Sequence, residues 1–234
     1  MVGHKNITKN DLQDISLKIR RSILKASFKA NACHLGSALS CVEILVSLYY
    51  KILKKDDIFL FSKASGVSAL YAILADKGYF PKSKIAYYLK KYPLASKKVP
   101  GVIHSVGSLG HGLSVAAGMA LADRKRKVYV LLSDGECQEG STYEASLFAR
   151  QHKLTNLYVT IDFNRYQACG AIKDILDLTT SFDFLKRTLP NLKIVKTIKG
   201  KGISFMEGDY RWHYFNLTPK LLKQALYGLK KTIL

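Results

Sequence analysis

Short apolar segments that alternate with amphipathic segments constrain the fold of this chain more than any other feature. Residues 128–132 and 157–161 are almost continuously apolar, which is typical of strands buried on both faces. Segments with helical spacing of apolar residues surround them, and they cover 11–30, 67–76, 113–123, 141–152 and 218–231. This alternation predicts an α/β fold, with a parallel sheet that carries helices on both faces.

Other segments complete the predicted order of elements. Residues 58–61 and 191–197 are predicted strands, and Ser40 followed by Glu43 predicts a capped helix over 41–53. Residues 82–99 are polar and basic, which favours a loop. We find neither an internal repeat nor a linker, so the chain is predicted to be a single domain over residues 1–234.

The net charge of +20 raises the question of nucleic-acid binding. The lysines and arginines are scattered in short groups, however, and no nucleic-acid-binding motif accompanies them. The sequence therefore favours a solvated lysine-rich surface over nucleic-acid binding. The alternative is that this positive charge binds an acidic partner or phosphorylated ligands.

The cysteines and the hydropathy pattern indicate the compartment. The four cysteines form no CxxC pair and show no zinc-like spacing. The first 21 residues are polar and charged, unlike a secretory signal, and the longest apolar stretches are far too short to cross a bilayer. We therefore expect a cytoplasmic protein with no membrane partner.

Polar residues follow two of the predicted strands. Asp134 and Gly135 come after the first, and Asn164 comes after the second. Ligands of open α/β sheets lie beyond the carboxyl ends of strands, and carboxylate and amide oxygens suit Mg²⁺. A metal site is therefore one interpretation, although an Asp-Gly pair after a strand is most often only a turn.

The glycine-rich segment 101–112 does not match a common nucleotide motif. Its end, GSLGHG, has the spacing G-x-x-G-x-G rather than G-x-G-x-x-G, and it precedes a helix without joining a strand to it. Residues 200–202 do not match a P-loop either. The sequence therefore gives little support to NAD or ATP binding.

Several motifs in a fixed order resemble the transketolases. GSLGHGLSVAAGMALA, SDGECQEGSTYEAS, IDFNRYQACG and KTIKGKGISFME follow the order found in that family, and ACHLGSALSCVEILVSLYY and SKASGVSALYAIL match its earlier segments. The chain resembles the N-terminal, diphosphate-binding domain over most of residues 12–213. The resemblance implies the thiamine diphosphate-binding (PP-type) fold.

The resemblance also implies a cofactor, thiamine diphosphate, held through Mg²⁺, for which Ca²⁺ or Mn²⁺ could substitute. Asp134, Asn164 and the main-chain carbonyl of Tyr166 match the family's metal ligands. The positions implied as cofactor contacts are Gly107, Leu109, Gly110, Asp134, Gly135, Glu136, Asn164 and His213.

Catalytic and interface residues are implied in the same way. His34 matches a histidine near the reacting ring and the donor sugar, and His213 matches a late histidine beside the diphosphate. Glu139 and Glu144 match acids near the subunit interface that link paired active sites. On the structural alternative, His34 caps a helix, His213 lies on the surface beside an exposed Trp212, and the acids begin a helix.

The chain departs from the family at four places. Ser133 replaces the first glycine of G-D-G, and Ser65 and Tyr92 stand where histidines are expected. The region around 165–196 is shorter than in the family, which predicts that part of the domain is deleted. These departures leave open whether this copy is catalytically active.

The resemblance therefore predicts the N-terminal subunit of an enzyme that transfers a two-carbon ketol unit between sugars. The pyrimidine-binding domain and its activating glutamate do not fit within 234 residues. We expect a separate C-terminal transketolase-like subunit to supply them, in an assembly with a homodimeric core or a heterotetramer. A degenerate non-catalytic subunit, or a carboligase or decarboxylase relative in a specialised sugar pathway, remains the alternative.

Overall fold

The computed structural model describes residues 7–231, which form two compact units. The first contains residues 7–53, 65–93 and 199–231, and the second contains residues 54–64 and 94–198. Within this described range, none of the helices combines the length and the apolar character that a membrane crossing would require. The single domain predicted from the sequence stays a prediction.

A parallel sheet forms the centre of the second unit. Its strands, in both chain and spatial order, are β1 (Ile58–Phe61), β2 (Val128–Ser133), β3 (Leu157–Phe163) and β4 (Leu192–Lys196). Every neighbouring pair is parallel. The helices of this unit are α6 (His111–Ala122), α7 (Gly140–Gln151), α8 (Ile172–Ile175) and α9 (Thr179–Thr188). The predicted parallel sheet flanked by helices is thereby confirmed.

Small residues allow α6 to lie close to the sheet. Its buried face consists of Gly112, Leu113 and three alanines, and it belongs to the same core as the central strand residues Val130 and Leu132. A β-carbon on Gly112 would overlap the side chain of Ser62, which follows β1. Glycine at this position is therefore a packing requirement, because a larger residue would push α6 away from the end of β1.

Helices make up the first unit. They are α1 (Lys9–Ala30), α2 (Leu35–Ser40), α3 (Val42–Ser47), α4 (Val67–Asp76), α5 (Ile85–Lys91) and α10 (Pro219–Lys231). The first of them begins at Lys9 because Thr8 and Asp11 form a capping box, in which Asp11 N donates to Thr8 Oγ1 at 3.2 Å and Thr8 N donates to Asp11 Oδ2 at 2.8 Å.

Two local predictions in this unit are wrong. Ser40 does not cap the helix predicted over 41–53, because it ends α2 and its hydroxyl donates back to the carbonyl of Ser37 at 2.9 Å. The predicted helical span itself is present, as α3 and the π-helical segment Leu48–Ile52. Residues 82–99 are not all loop, because α5 buries Ile85 and Leu89 against the unit's core. Lysines surround these two residues, so an interpretation based on overall polarity did not recognise their helical spacing.

The exposed side of α7 also differs from the expected pattern. Its buried residues are Thr142, Ala145, Ser146 and Ala149. Leu147 and Phe148, which the sequence suggests as part of its apolar face, are 51% and 40% exposed. Leu147 and Phe148 therefore add apolar surface to this helix and do not contribute to its buried face.

Candidate cofactor and metal site

The carboxyl ends of β2 and β3 bring the predicted metal ligands to neighbouring positions. The two strands pair in register, with Ser133 opposite Asp162. Asp134 follows β2 directly and Asn164 follows β3 directly. Both strands are parallel, so both side chains start from the same edge of the sheet, where ligands of open α/β sheets bind.

Asp134 is almost completely buried and is held by two main-chain donors. Its carboxylate accepts hydrogen bonds from Gly135 N at 3.0 Å and from Arg165 N at 2.7 Å. Burial is the largest effect on its pKa and raises it to about 6, with a further rise from Asp162 that Lys63 and the two N–H donors oppose. Burial therefore favours the protonated form of this carboxylate, and a bound cation would favour the ionised form.

Asn164 lies beside this carboxylate, because the next residue, Arg165, donates to it. The side chain of Asn164 is buried, and its Oδ1 accepts from Tyr166 N at 3.1 Å. Arg165 has φ of 70°, a left-handed conformation that is uncommon for a residue other than glycine. Strained backbone of this kind persists where surrounding contacts hold it, and it concentrates at functional sites.

Glu136 connects the end of β2 to the glycine-rich loop. It is fully buried, and its two carboxylate oxygens accept from Ser62 Oγ, from Gly110 N at 3.3 Å, and from the N and Oγ of Ser133 at 2.7 and 3.0 Å. Burial raises the pKa of Glu136, and these donors oppose the rise. The carboxylate oxygens of Glu136 thus hold the glycine-rich loop in place. The direct cofactor contact predicted for Glu136 stays a prediction.

The glycine-rich loop is fixed at Gly110. This residue has φ of 80° and forms the N-cap of α6. A β-carbon here would lie 2.7 Å from Cβ of Glu139, so both the backbone conformation and the close approach require glycine. Leu109 is 41% exposed beside it, while a β-carbon on Gly107 would lie 3.7 Å from the side chain of Leu94, an ordinary contact.

The predicted interface acids belong to the start of α7. Glu139 is the N-cap residue of this helix and is partly exposed, and Glu144 is exposed on its first turns. Glu144 shares the helix with the exposed Leu147 and Phe148. Together these residues form a surface of mixed apolar and acidic character.

The two predicted catalytic histidines belong to the first unit, where they contact each other. His34 N donates to the main-chain oxygen of His213 at 2.9 Å, and the two rings meet edge-on with centroids 4.5 Å apart. His34 has φ of 68° and begins α2 without a side-chain cap. Trp212 is buried, and its Nε1 donates to Phe205 O at 3.0 Å, so the expectation of an exposed tryptophan was wrong.

The sequence analysis did not predict a buried ion pair near the carboxyl end of β3. Lys63 Nζ lies 2.9 Å from the carboxylate of Asp162, and Thr197 Oγ1 donates to the same carboxylate. Lys63 and Asp162 both stand inside segments that resemble family motifs, but only the paired strands bring them together. The sequence offers no local spacing from which this pair could have been found.

The donor atoms decide which cation would fit. Within residues 7–231, no three histidine, cysteine, aspartate or glutamate side chains are grouped to hold a metal. The predicted set instead contains one carboxylate, one amide oxygen and one main-chain oxygen. Such a set suits a hard cation that keeps other oxygen ligands, and it does not suit a site that depends on imidazole or thiolate.

Comparisons with known proteins agree with this chemistry. A sequence model of the family described as 1-deoxy-D-xylulose-5-phosphate synthase matches residues 3–208. The chain is 38% identical to one of the subunits of the apulose-4-phosphate transketolase of Actinobacillus succinogenes, over 89% of this chain and 92% of the relative. It is 31% identical to a 6-deoxy-6-sulfo-D-fructose transketolase subunit of Clostridium sp., over 94% of this chain and 97% of the relative.

Solved structures show the same fold. The transketolase from Campylobacter jejuni superposes with a TM-score of 0.85 at 24% identity, covering 95% of this chain and 43% of that one. Members of this family are thiamine diphosphate enzymes that use a divalent metal. The chain therefore belongs to the transketolase family of transferases and corresponds to the N-terminal subunits of its two-subunit members.

Proposed function

We propose that this chain binds the diphosphate of thiamine diphosphate through Mg²⁺ at the carboxyl ends of β2 and β3, for two-carbon ketol transfer between sugars. The observation that carries the proposal is the pairing of β2 and β3 in register, which starts Asp134 and Asn164 from one sheet edge. The hydrogen bond from Arg165 N to Asp134 supports it, because that bond brings the start of the loop after Asn164 against the carboxylate.

The residues of this site fit the metal and the diphosphate. Asp134 and Asn164 would supply side-chain oxygens, and Tyr166 its main-chain oxygen, a donor set that suits a hard cation such as Mg²⁺. Gly135 is buried, and the side chain of Gln167 lies 3.7 Å from the position of a β-carbon there, so Gln167 would have to move for a phosphate to reach this backbone. The divalent charge would offset the burial that raises the pKa of Asp134.

Other side chains would orient the organic parts of the reaction. Leu109 offers exposed apolar surface to the cofactor rings, and Gly107 and Gly110 shape the loop that carries it. His34 and His213 would hold or move protons at the substrate and the diphosphate. When bound, thiamine diphosphate would supply a nucleophilic carbon for a sugar carbonyl and a cationic ring that serves as an electron sink.

A second, separate chain is part of the proposal. It would supply the pyrimidine-binding domain and the glutamate that activates the cofactor, and the chain alone would be inactive. The exposed residues of α7, together with Glu139 and Glu144, support a protein contact on this helix. The assembly would have a homodimeric core or be a heterotetramer, and the four cysteines, which form no disulfide in the described range, suit a cytoplasmic location.

One comparison indicates that this chain lacks internal segments of a relative. The alignment with the A. succinogenes relative runs over 256 positions while using 89% of the 234-residue chain, so the relative contains internal segments that this chain lacks. The metal-site residues are retained despite this loss. The proposed deletion lies around residues 165–196, between Asn164 and the segment KTIKGKG.

Calorimetry with thiamine diphosphate and Mg²⁺ tests the proposal, on the chain reconstituted with its C-terminal partner. We expect saturable binding that Asp134→Ala and Asn164→Ala each abolish, while Asp183→Ala, at an exposed position of α9, leaves it unchanged. Ketol transfer should require both subunits. No binding by the complex would overturn the proposal in favour of the non-catalytic alternative, and ketol transfer by the chain alone would overturn the dependence on a partner.

A further inference from the structure

The carboxyl group of Glu136 connects three separate segments at the carboxyl edge of the sheet. Its Oε1 accepts from Ser62 Oγ, which follows β1, and from Gly110 N in the glycine-rich loop at 3.3 Å. Its Oε2 accepts from the N and Oγ of Ser133, the last residue of β2, at 2.7 and 3.0 Å. All four residues belong to the second unit, so the network lies within one compact part of the chain.

The main chain of Glu136 is itself fixed by the start of α7. Its carbonyl oxygen accepts from Thr142 Oγ1 at 2.7 Å and from Glu139 N at 3.2 Å. Both Thr142 and Glu136 are completely buried. The carboxyl group therefore extends from a backbone that is held in place, as a side chain must if it is to position other groups.

Two of the donors to Glu136 are main-chain N–H groups, which restricts the residue type at this position. A serine hydroxyl can donate or accept, but a main-chain N–H can only donate. Both oxygens of a carboxyl group can accept, whereas glutamine has one acceptor oxygen and an NH₂ group that only donates. Glutamine at position 136 would therefore leave the N–H of either Gly110 or Ser133 without an acceptor.

The two distances indicate which N–H group would lose its acceptor. The distance of 2.7 Å from Ser133 N is at the short end of the range for such bonds, whereas 3.3 Å from Gly110 N lies slightly beyond that range. The single acceptor oxygen of a glutamine should therefore turn to Ser133, and its NH₂ group would face Gly110 N. The bond that glutamine removes is thus the one to the glycine-rich loop.

The ends of this network adjoin the two proposed contacts to the cofactor. Leu109, the proposed contact to the cofactor rings, directly precedes Gly110 and is 41% exposed. Ser133 directly precedes Asp134, the proposed metal ligand. Glu136 therefore connects the neighbour of the ring contact to the neighbour of the metal ligand.

We propose that Glu136 is a positioning residue, which holds Leu109 in place relative to Asp134 and so determines the affinity for thiamine diphosphate without contacting it. The inference rests on the proposed function for the identity of the cofactor. Its physical basis is that Glu136 is completely buried and that its two carboxyl oxygens already accept from four donors within the chain. Groups that orient the contacting residues of a site affect its affinity although they touch no ligand.

Amide hydrogen exchange in the full chain without cofactor tests the contact between Glu136 and the loop. We expect the amide of Gly110 to exchange about tenfold faster in Glu136→Gln than in the wild-type chain, because it loses its acceptor. Asp183→Asn makes the same change from carboxyl to amide at an exposed position of α9, and it should leave this rate unchanged. Equal rates for Gly110 in the wild-type chain and Glu136→Gln would overturn the proposal.

The wild-type chain supplies a measurement that does not depend on the folding of a variant. Gly110 N is buried and has an acceptor in Glu136, whereas Ser108 is exposed and its N–H has no acceptor among residues 7–231. After correction for intrinsic rates, the amide of Gly110 should exchange at least about tenfold more slowly than that of Ser108. Similar rates for the two amides would show that the loop is not held at Gly110, which also overturns the proposal.

Cofactor affinity separates positioning from a general effect on the fold. In calorimetry of the reconstituted two-subunit enzyme with Mg²⁺, Glu136→Gln should weaken the binding of thiamine diphosphate about tenfold. If Glu136 acts through Leu109, the same change should have little further effect in Leu109→Ala. Full additivity of the two changes would overturn the proposal, because a merely destabilised fold weakens binding in both backgrounds.

The two kinds of measurement also distinguish this proposal from the proposed function. If the wild-type complex does not bind thiamine diphosphate, the proposed function is overturned, and the effect on cofactor affinity is overturned with it. The exchange rates of Gly110 still decide whether Glu136 holds the loop. If the wild-type complex binds the cofactor and Glu136→Gln binds it equally well, the positioning role is overturned and the proposed function stands.

Discussion

The Nζ atom of Lys63 lies 2.9 Å from a carboxylate oxygen of Asp162, and both side chains are almost completely excluded from solvent. Thr197 donates a hydrogen bond to the same carboxylate. The ion pair connects Lys63, which follows β1, to Asp162 near the end of β3. Thr197, which follows β4, is connected to the same carboxylate by its hydrogen bond. Lys63 also opposes the rise in the pKa of Asp134, so this ion pair sets the charge balance below the candidate metal site.

Lys63→Met should destabilise the chain by about 3 to 5 kcal/mol, because it leaves the carboxylate of Asp162 buried without its counter-ion. Urea unfolding at pH 7, without metal or cofactor, measures this change.

The double variant Lys63→Met/Asp162→Asn is the control. It removes both charges and should regain a large part of the lost free energy of unfolding. If the double variant is as unstable as the two single changes added together, the pair is not coupled as the distance of 2.9 Å indicates.

Asp134 should make the metal-free chain less stable as the pH rises. Its pKa is about 6 in the folded chain against 3.8 for a free aspartate, so the folded state favours the protonated form. The corresponding stability is present in full below pH 4 and is lost as the pH rises through 6. Relative to Asp134→Asn, the wild-type chain should therefore lose about 2 kcal/mol between pH 4 and pH 7.

Unfolding curves of both proteins at several pH values measure this difference in the presence of a metal chelator. Saturating thiamine diphosphate and Mg²⁺ should remove the loss in the wild-type chain, because a bound cation favours the ionised carboxylate. Parallel pH profiles for the wild-type chain and Asp134→Asn would show that the carboxylate is not perturbed in this way.

Two glycines of α6 should respond to alanine in opposite directions. Gly112→Ala should cost about 2 to 3 kcal/mol, because its methyl group would overlap Ser62 and contact Leu60 at 3.0 Å. Gly118→Ala, at an exposed position of the same helix with no described atom within 4 Å, should gain about 1 kcal/mol from helix propensity. Thermal unfolding of the two variants tests the comparison, and equal effects would contradict the close contact of α6 with the end of β1.

Asp76 should stabilise the folded chain at pH values above 3.8, the ordinary pKa of an aspartate. Burial is the largest effect and raises its pKa, but hydrogen bonds from Lys18, Lys82 and Tyr50 outweigh it and lower the pKa to about 2. The stability is present above pH 3.8 and is lost as the pH falls towards 2. Both lysines are about half exposed, so we expect only about 1 kcal/mol relative to Asp76→Asn at pH 7, and less at high salt. Urea unfolding between pH 3 and pH 7 measures it, and a constant difference would contradict the shift.

Continuous apolar segments were sufficient to predict the strands. The predicted segment 128–132 falls within β2, and 157–161 falls within β3, because buried parallel strands carry little other than apolar residues. The helix α5 was missed, since Ile85 and Leu89 stand among lysines that reach solvent while the two apolar residues are buried. Hydrophobic spacing was present there, but overall polarity was the stronger signal.

The candidate site also contains residues that the sequence could predict and contacts that it could not. Asp134 and Asn164 could be predicted, because each follows a recognisable strand and both belong to motifs of the family. The partners of Glu136 could not, since Ser62 and Gly110 reach it only after distant segments pack together. The pairing of Lys63 with Asp162 depends on the same long-range packing, and no local pattern reports it.

Ser133 stands where the family has glycine, and both its N–H and its hydroxyl donate to Glu136. A glycine at position 133 would retain the first of these bonds and lose the second. The serine is thus compatible with the strand end and adds a donor that glycine lacks. A motif definition that demands G-D-G would reject this chain, although Asp134 and Asn164 follow the paired strands β2 and β3. A definition based on the burial of that aspartate and on the register of the two strands would include it, and it would group proteins that differ at this one position.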